Sequence, residues 1–178
     1  MTPERQEANR IAARPHFRPQ IALIALALVA ALWPAAEPAG SGSALAATTE
    51  RVVTNRYSGL AIEGFDPLAY FVDHRPEMGS PDFEAAQGGA VWRFTNEGNR
   101  ASFVAHPDVY GPQFGGYDPV DLARGVTVGG SPMFWLVAGD RLYLFGREET
   151  RDAFAANPAP YAKEATARWP SLEEQLAQ

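Results

Sequence analysis

The chain of 178 residues contains no cysteine. Disulfide bonds, thiolate nucleophiles, iron–sulfur clusters and cysteine-ligated zinc are therefore excluded. The fold must be stabilised by packing alone, and about 120 residues are enough to bury a core. Motifs of serine hydrolases (G-x-S-x-G), phosphate-binding loops and zinc proteases (H-E-x-x-H) are also missing. These absences predict a protein that is not an enzyme.

Basic residues are scarce beyond the N-terminal segment, and Lys163 is the only lysine. Four of the 15 basic and three of the 21 acidic residues precede Ala47, so the remainder carries a net charge of −7. Binding to nucleic acid requires a basic face, and anionic membranes attract basic segments. We therefore expect neither nucleic acid nor a membrane surface as partner, whereas a protein partner stays open.

The apolar run from Ile21 to Leu32 has only twelve residues, whereas a membrane-spanning helix needs about 20. Four arginines precede it and Ala44-Leu45-Ala46 follows, which is the pattern of a secretory signal peptide cut before Ala47. We predict export, to the periplasm in a two-membrane bacterium, with residues 1–46 as the leader and its linker. The alternative is an uncleaved anchor at residues 21–33. No Arg-Arg pair supports the twin-arginine route.

An internal repeat dominates the rest of the chain. Four separate blocks recur at an offset of 52 for the first and 51 for the others. A fixed period over several blocks indicates a duplicated structural unit, whose repeated residues serve packing. The blocks are Gly64-Phe65-Asp66-Pro67-Leu68 with Gly116-Tyr117-Asp118-Pro119-Val120, Gly79-Ser80-Pro81 with Gly130-Ser131-Pro132, Trp92-Arg93-Phe94 with Tyr143-Leu144-Phe145, and Arg100, Phe103, Pro107 and Tyr110 with Arg151, Phe154, Pro158 and Tyr161.

Local signals predict the same elements in each copy. Asp-Pro starts a short helix (68–72 and 120–124), Gly/Pro turns follow at 79–81 and 129–132, and helices at 97–105 and 148–156 end before a proline. A hairpin is predicted from 134–138 and 141–145, with 90–94 as the counterpart of its second strand. A last helix at 161–169 is predicted to end at Pro170, leaving 171–178 as a frayed tail.

The aromatic strand ending in Phe, the helix with Phe, and the following Pro-x-x-Tyr resemble the YHS domain, particularly an exported bacterial group of that family. The resemblance spans residues 57–170 and implies an α+β fold: two pseudo-symmetric YHS-like repeats (64–115 and 116–166) within one domain at 52–170, with small antiparallel strands and short helices. Cysteines of metal-linked members are replaced by Ala69 and Asp121, by Thr95 and Gly146, and in the exported group's position by Asp118. Soft thiolate ligands for copper or zinc are therefore gone.

The candidate ligand-binding residues are Tyr117, Asp118 and Asp121, where family members carry their reactive residue. A spacing of three places Asp118 and Asp121 on one helix face, and carboxylates suit a divalent metal ion. The alternative is that Asp66 and Asp118 are helix N-caps and Asp121 a solvated first-turn acid. His106 is a further candidate metal ligand and His74 the other downstream histidine, with exposed surface histidines as the alternative.

The remaining candidates are aromatic and basic. Trp92, Trp135 and Trp169, with four tyrosines, line either a ligand pocket or the core. Arg100 and Arg151 occupy equivalent positions and would pair with a carboxylate of the facing repeat. The sequence thus favours an exported, non-enzymatic binding module of unknown ligand. The alternatives are a metal carrier that uses carboxylate and His ligands, and a structural protein-interaction domain.

Overall fold

The computed structural model describes residues 50–177. The predicted leader and anchor lie outside these residues. Within them the protein is mixed α/β, with six α-helices and two small antiparallel sheets of two strands each. The predicted mixture of helices and small antiparallel strands is confirmed. None of the helices in this part of the chain is both long and apolar enough to cross a membrane.

The elements follow one another in the same order in two halves of the chain, which we call the first half (residues 60–110) and the second half (residues 112–176). A 3₁₀ turn and a short helix precede a hairpin, and a longer helix follows it. The first half contains a 3₁₀ turn at Ile62–Gly64, α1 (Ala69–Val72), β1 (Ser80–Gln87), β2 (Ala90–Phe94), α2 (Glu97–Ala105) and α3 (Pro107–Tyr110). The second contains a 3₁₀ turn at Gln113–Gly116, α4 (Pro119–Leu122), β3 (Ser131–Ala138), β4 (Arg141–Phe145), α5 (Glu148–Ala156) and α6 (Pro158–Leu176).

The two hairpins have the same pairing. Ser80 pairs with Phe94 and Ser131 with Phe145, and each first strand then has an irregularity before regular pairing resumes. Two-residue turns with positive φ close both hairpins, Gly88–Gly89 in one and Gly139–Asp140 in the other. Such turns match the twist of the strands that they join. The predicted hairpin of β3 and β4 is confirmed.

The turns predicted at 79–81 and 129–132 are wrong, because Ser80 and Ser131 already begin strands. The glycines before them serve a close approach of two chain segments instead. A Cβ at Gly79 would lie 2.5 Å from the carbonyl carbon of Arg93, and one at Gly130 would lie 2.6 Å from the carbonyl oxygen of Gly116. Glycine at the edge of a strand often marks this kind of contact.

The helices after the hairpins, α2 and α5, have the predicted bounds, and the C-cap residue of each directly precedes a proline. The predicted end of the last helix at Pro170 is wrong, since α6 continues to Leu176. Trp169, Leu172 and Leu176 pack in one cluster with Tyr117 and Leu122. Burial of these side chains outweighs the one backbone hydrogen bond that proline removes.

The core draws on both hairpins. Its largest cluster unites Trp92, Phe94 and Phe103 of the first half with Leu142 and Leu144 of the second. A further cluster in the second half surrounds Phe154 and Phe145, both fully buried. Most of the aromatic residues that the sequence offered as pocket or core are therefore core, as expected for a small domain without disulfides.

An N-terminal strap, residues 50–55, crosses both halves. The N–H of Val53 donates to the carbonyl of Gly115 (2.8 Å), and the N–H of Asn55 donates to that of Leu60 (2.9 Å). Val52 packs against the large core cluster and Val53 against the cluster beneath α6. Gly115 has φ of +62°, and a Cβ there would collide with the carbonyl oxygen of Arg51. The strap therefore requires glycine at this position.

Candidate functional site

Asp66 is completely buried and joins three segments of the first half. Its Oδ1 accepts the N–H of Leu68 (2.9 Å). Its Oδ2 accepts the N–H and the hydroxyl of Thr95 (both 2.8 Å) and the side-chain amide of Asn99 (2.6 Å). The carboxylate thus links the start of α1 to the end of β2 and the first turn of α2. Hydrogen bonds of this number are what a buried charged group needs.

Asp118 is the matching residue of the second half and is also completely buried. Its Oδ1 accepts the N–H of Val120 (2.9 Å), which caps α4. Its Oδ2 accepts the N–H of Gly146 (2.9 Å) and the hydroxyl of Thr150 (2.5 Å). The partners are the residues that stand 51 positions after Thr95 and Asn99. The N-cap interpretation of Asp118 is confirmed, together with a tertiary link that the sequence did not reveal.

Asp121 lies beside Asp118 but is not the solvated acid of the alternative interpretation, since only 5% of it is exposed. Both its oxygens are engaged by the guanidinium of Arg147 (2.7 and 3.0 Å), and Arg124 approaches at 3.4 Å. Such a bidentate pair is a strong charge-assisted contact. The hydrogen bond to Asp121 raises the pKa of Arg147 further. In the first half Ala69 and Asn96 stand at the corresponding positions.

Tyr117, the third predicted ligand residue, is buried to 7% exposure. Its hydroxyl donates to the carbonyl of Glu50 in the strap (2.6 Å), and its ring packs against Trp169 with centroids 5.9 Å apart. Burial raises the pKa of Tyr117, and the nearby Glu50 carboxylate adds to this effect. Tyr117 therefore faces the strap, whereas the carboxylates of Asp118 and Asp121 bond to the start of α5.

The histidines do not join the acidic residues. His74 and His106 are both exposed, and His106 ends α2. Between residues 50 and 177 no three His, Asp or Glu side chains come together as metal ligands would. Arg100 and Arg151 pair within their own helices, with Glu97 and Glu148 respectively (both 2.7 Å). Their predicted pairing with carboxylates of the facing repeat is wrong, because an acid three residues earlier is nearer.

Tyr70, one of the four tyrosines expected in a pocket or the core, joins the halves through a contact that its sequence did not reveal. Its hydroxyl donates to the carbonyl of Pro132 (3.0 Å), and its ring meets Trp135 edge-on at 5.2 Å. Burial raises the pKa of Tyr70 far above its ordinary value, with the Asp66 carboxylate as a second cause. The position aligns with Leu122, so the only available signal was a hydroxyl at an otherwise apolar repeat position.

Three clefts open along the strap, and Val52 lines all of them. The strap cleft, of about 510 Å³, lies between the strap, Gly89 and Tyr117. The Trp92 cleft, of about 300 Å³, lies toward Trp92 and α3. The Trp169 cleft, of about 480 Å³, lies toward Trp169 and Glu173. Volumes of about 300–1,000 Å³ are typical of small-ligand sites. Of the three predicted ligand residues, Tyr117 alone lines a cleft of this group.

Sequence reasoning missed this face of the protein. The available signal in the sequence was two glycines whose counterparts in the other half are not glycine. Gly111 corresponds to Ala162 at the offset of 51, and Gly115 corresponds to Glu63 at the offset of 52. Glycine at these positions permits close approach of the chain: a Cβ at Gly111 would lie 2.6 Å from the carbonyl oxygen of Pro107, and one at Gly115 would collide with that of Arg51.

Family models, curated proteins and solved structures offer no match to this chain.

Proposed function

We propose that the protein is an exported, non-enzymatic binding module built from two YHS-like halves, and that its ligand binds on the strap face. By strap face we mean the surface formed by the three clefts that share Val52. That convergence of clefts on one residue is the observation that carries the proposal. Ligand sites are concave and few in a protein.

The two-halves proposal is supported by matched details that packing alone does not demand. Ile62 and Phe114 occupy equivalent positions, and both have positive φ (42° and 55°). This conformation is strained for β-branched and bulky residues. Asp66 and Asp118 accept tertiary hydrogen bonds from residues at equivalent positions, Thr95 and Asn99 in one half and Gly146 and Thr150 in the other. Shared strain and shared polar connections indicate a duplicated unit rather than two unrelated hairpins.

The non-enzymatic proposal is supported by how the reactive groups are used. Asp66, Asp118 and Asp121 accept hydrogen bonds from the protein's own donors. Among residues 50–177, neither histidine side chain is hydrogen-bonded to a serine or threonine hydroxyl. A nucleophile activated by histidine requires that contact. A metal bound at Asp121 would have to displace the guanidinium of Arg147.

The test is a nuclear magnetic resonance screen of the ¹⁵N-labelled full-length chain with three classes of probe: small aromatic alcohols, small amines and small carboxylates. We expect the amide shifts that respond to cluster at Val52, Gly88 and Gly115. Separate titrations with Zn²⁺ and Ca²⁺ follow the amide of Asp121. Amide shifts that are confined to the start of α4 and appear only on addition of metal would overturn the proposal. A screen in which no probe shifts the amides of the strap face would also overturn it.

A further inference from the structure

The Trp92 cleft has an apolar floor and one charged wall. Trp92 and Phe103 form the floor and are almost completely buried, with ring centroids 4.8 Å apart. Val52, Pro107 and Pro112 form apolar walls, and Asp108 is the only charged residue among those that line the cleft. The indole N–H of Trp92 donates to the carbonyl of Gln87 (2.9 Å). Its polar end is thereby satisfied within the protein.

The second half fills the corresponding space with its own chain. Tyr143 and Phe154 stand where Trp92 and Phe103 stand in the first half. Tyr161 and Ala162, in the first turns of α6, pack against that pair. Phe114 adds its ring, 6.4 Å from that of Tyr143. In this half the helix continues to Leu176, and Phe154 is fully buried while Tyr143 stays partly exposed.

The first half ends its helix instead. Its α3 stops at Tyr110, and Gly111-Pro112 follows where the second half has Ala162-Lys163. Glycine contributes no side chain, and proline cannot continue a helix with a normal hydrogen bond. The aromatic floor is therefore left under an open cleft of about 300 Å³. The opening is a specific departure from the duplicated plan.

Charge selects among ligands that would fit this volume. Asp108 is exposed and takes part in none of the ion pairs found between residues 50 and 177. The nearest basic contact is Arg141, which donates to the backbone carbonyl of Asp108 (3.2 Å) and does not line the cleft. A carboxylate at the wall of an apolar cleft favours a cation through Coulomb attraction.

We propose that the Trp92 cleft binds a small organic cation: a compact aromatic or apolar group seated between Val52, Pro107 and Pro112, with an ammonium group directed to Asp108. The proposal rests on the assignment of the binding function to the strap face and names the ligand class for one of its clefts. A volume of about 300 Å³ limits the ligand to roughly one ring with a short chain.

The experiment titrates the ¹⁵N-labelled full-length chain with three probes of one shape: 2-phenylethylamine, 2-phenylethanol and phenylacetate. We expect saturable shifts of the Trp92 indole N–H and the Gly88 and Gly111 amides with the amine below about 10 mM. The alcohol should bind more weakly and the carboxylate weakest. Equal binding of amine and carboxylate would overturn the cation class while leaving the site intact. Silence of all three probes at these amides would overturn the site itself.

Two variants and a control sharpen the result. Asp108→Asn keeps the size of an exposed side chain. It should weaken binding of the amine about threefold, as expected for a partly screened charge, and leave binding of the alcohol unchanged. Val52→Phe should fill the cleft and abolish binding of both the amine and the alcohol. The control is Asp73→Asn, an exposed aspartate that lines none of the three clefts. An amine that binds Asp108→Asn as tightly as the parent protein would contradict the assigned role of the carboxylate.

Discussion

The two halves of the molecule use the same buried carboxylate to assemble themselves but differ in what lies beyond it. Asp66 and Asp118 each connect a short helix to the strand and helix that follow. In the second half the first turns of α6 pack against the aromatic cluster, whereas in the first half α3 ends after four residues and a cleft adjoins it. The polar residues that recur in both halves therefore maintain the fold. A ligand would be accommodated where the two halves differ.

Removal of the buried carboxylates should have the largest effect on stability. Asp66→Ala and Asp118→Ala each leave several buried donors without an acceptor, at a cost of 1–3 kcal/mol for each such group. We expect both to lower the free energy of unfolding by about 3 kcal/mol or more, the largest single effects in the domain. Urea denaturation of the full-length chain measures this. The exposed Asp73→Ala control should change it by less than about 0.5 kcal/mol. Tolerance of one substitution and not the other would show that the two carboxylates are not equivalent.

Helix α6 has no long counterpart in the first half. Trp169 is partly buried against Phe114 and Tyr117, with ring centroids 5.9 Å from each. Trp169→Ala should reduce the free energy of unfolding by about 2 kcal/mol, less than a fully buried aromatic would. The same denaturation experiment tests this, with the exposed Gln175→Ala on the same helix as the control. An unchanged stability would mean that α6 does not hold the second half closed.

The ion pair between Asp121 and Arg147 is present in the second half alone. Arg147→Asn removes the bidentate partner of Asp121 and should destabilise the protein, because a nearly buried carboxylate then keeps only Arg124. The double variant Asp121→Ala/Arg147→Asn reproduces the residues of the first half, where Asn96 caps α2. We expect the double variant to be more stable than Arg147→Asn alone. The urea midpoints of the parent, both single variants and the double variant measure this coupling. Additive effects would argue that the pair makes no contribution of its own.

The smallest expected effect is a dependence on alkaline pH. Burial raises the pKa of Tyr70 in the folded protein, so the folded state holds this proton more tightly than the unfolded state. The stabilisation is complete below the unfolded pKa of about 10 and is lost as the pH rises through the folded value. Tyr70→Phe should therefore flatten the loss of stability above about pH 10. Denaturation at several alkaline pH values, with the 92% exposed Tyr57→Phe as control, measures it. Parallel losses in the parent and in Tyr70→Phe would contradict this assignment.

Much of the fold followed from local chemistry in the sequence. The bounds of α2 and α5 were predictable because an apolar pattern ends before a proline, and the β3–β4 hairpin because Gly139-Asp140 separates two apolar runs. The end of α6 was predicted wrongly at Pro170, because contacts of Trp169 and Leu172 with distant residues override the usual effect of proline on a helix. Such tertiary contacts cannot be read from a local pattern.

The site was harder to predict than the fold. Asp118 was recognised as a possible cap, but its bonds to Gly146 and Thr150 join residues that are far apart in sequence. Asp121 gave no sign of its partner because Arg147 lies 26 residues away. The strap face depends on where residues 50–55 lie across the core, and no periodicity encodes that. Glycines present in only one copy were the usable clue.

The most direct test of the account compares two variants in one titration with 2-phenylethylamine. Val52→Phe alters the residue common to the three clefts, and Asp121→Asn alters an acidic residue that was predicted from the sequence to bind a ligand. The amide of Gly111 and the indole N–H of Trp92 report binding. We expect Asp121→Asn to bind the amine as tightly as the parent protein does, and Val52→Phe to show no binding. Loss of binding in Asp121→Asn with retention in Val52→Phe would contradict the account.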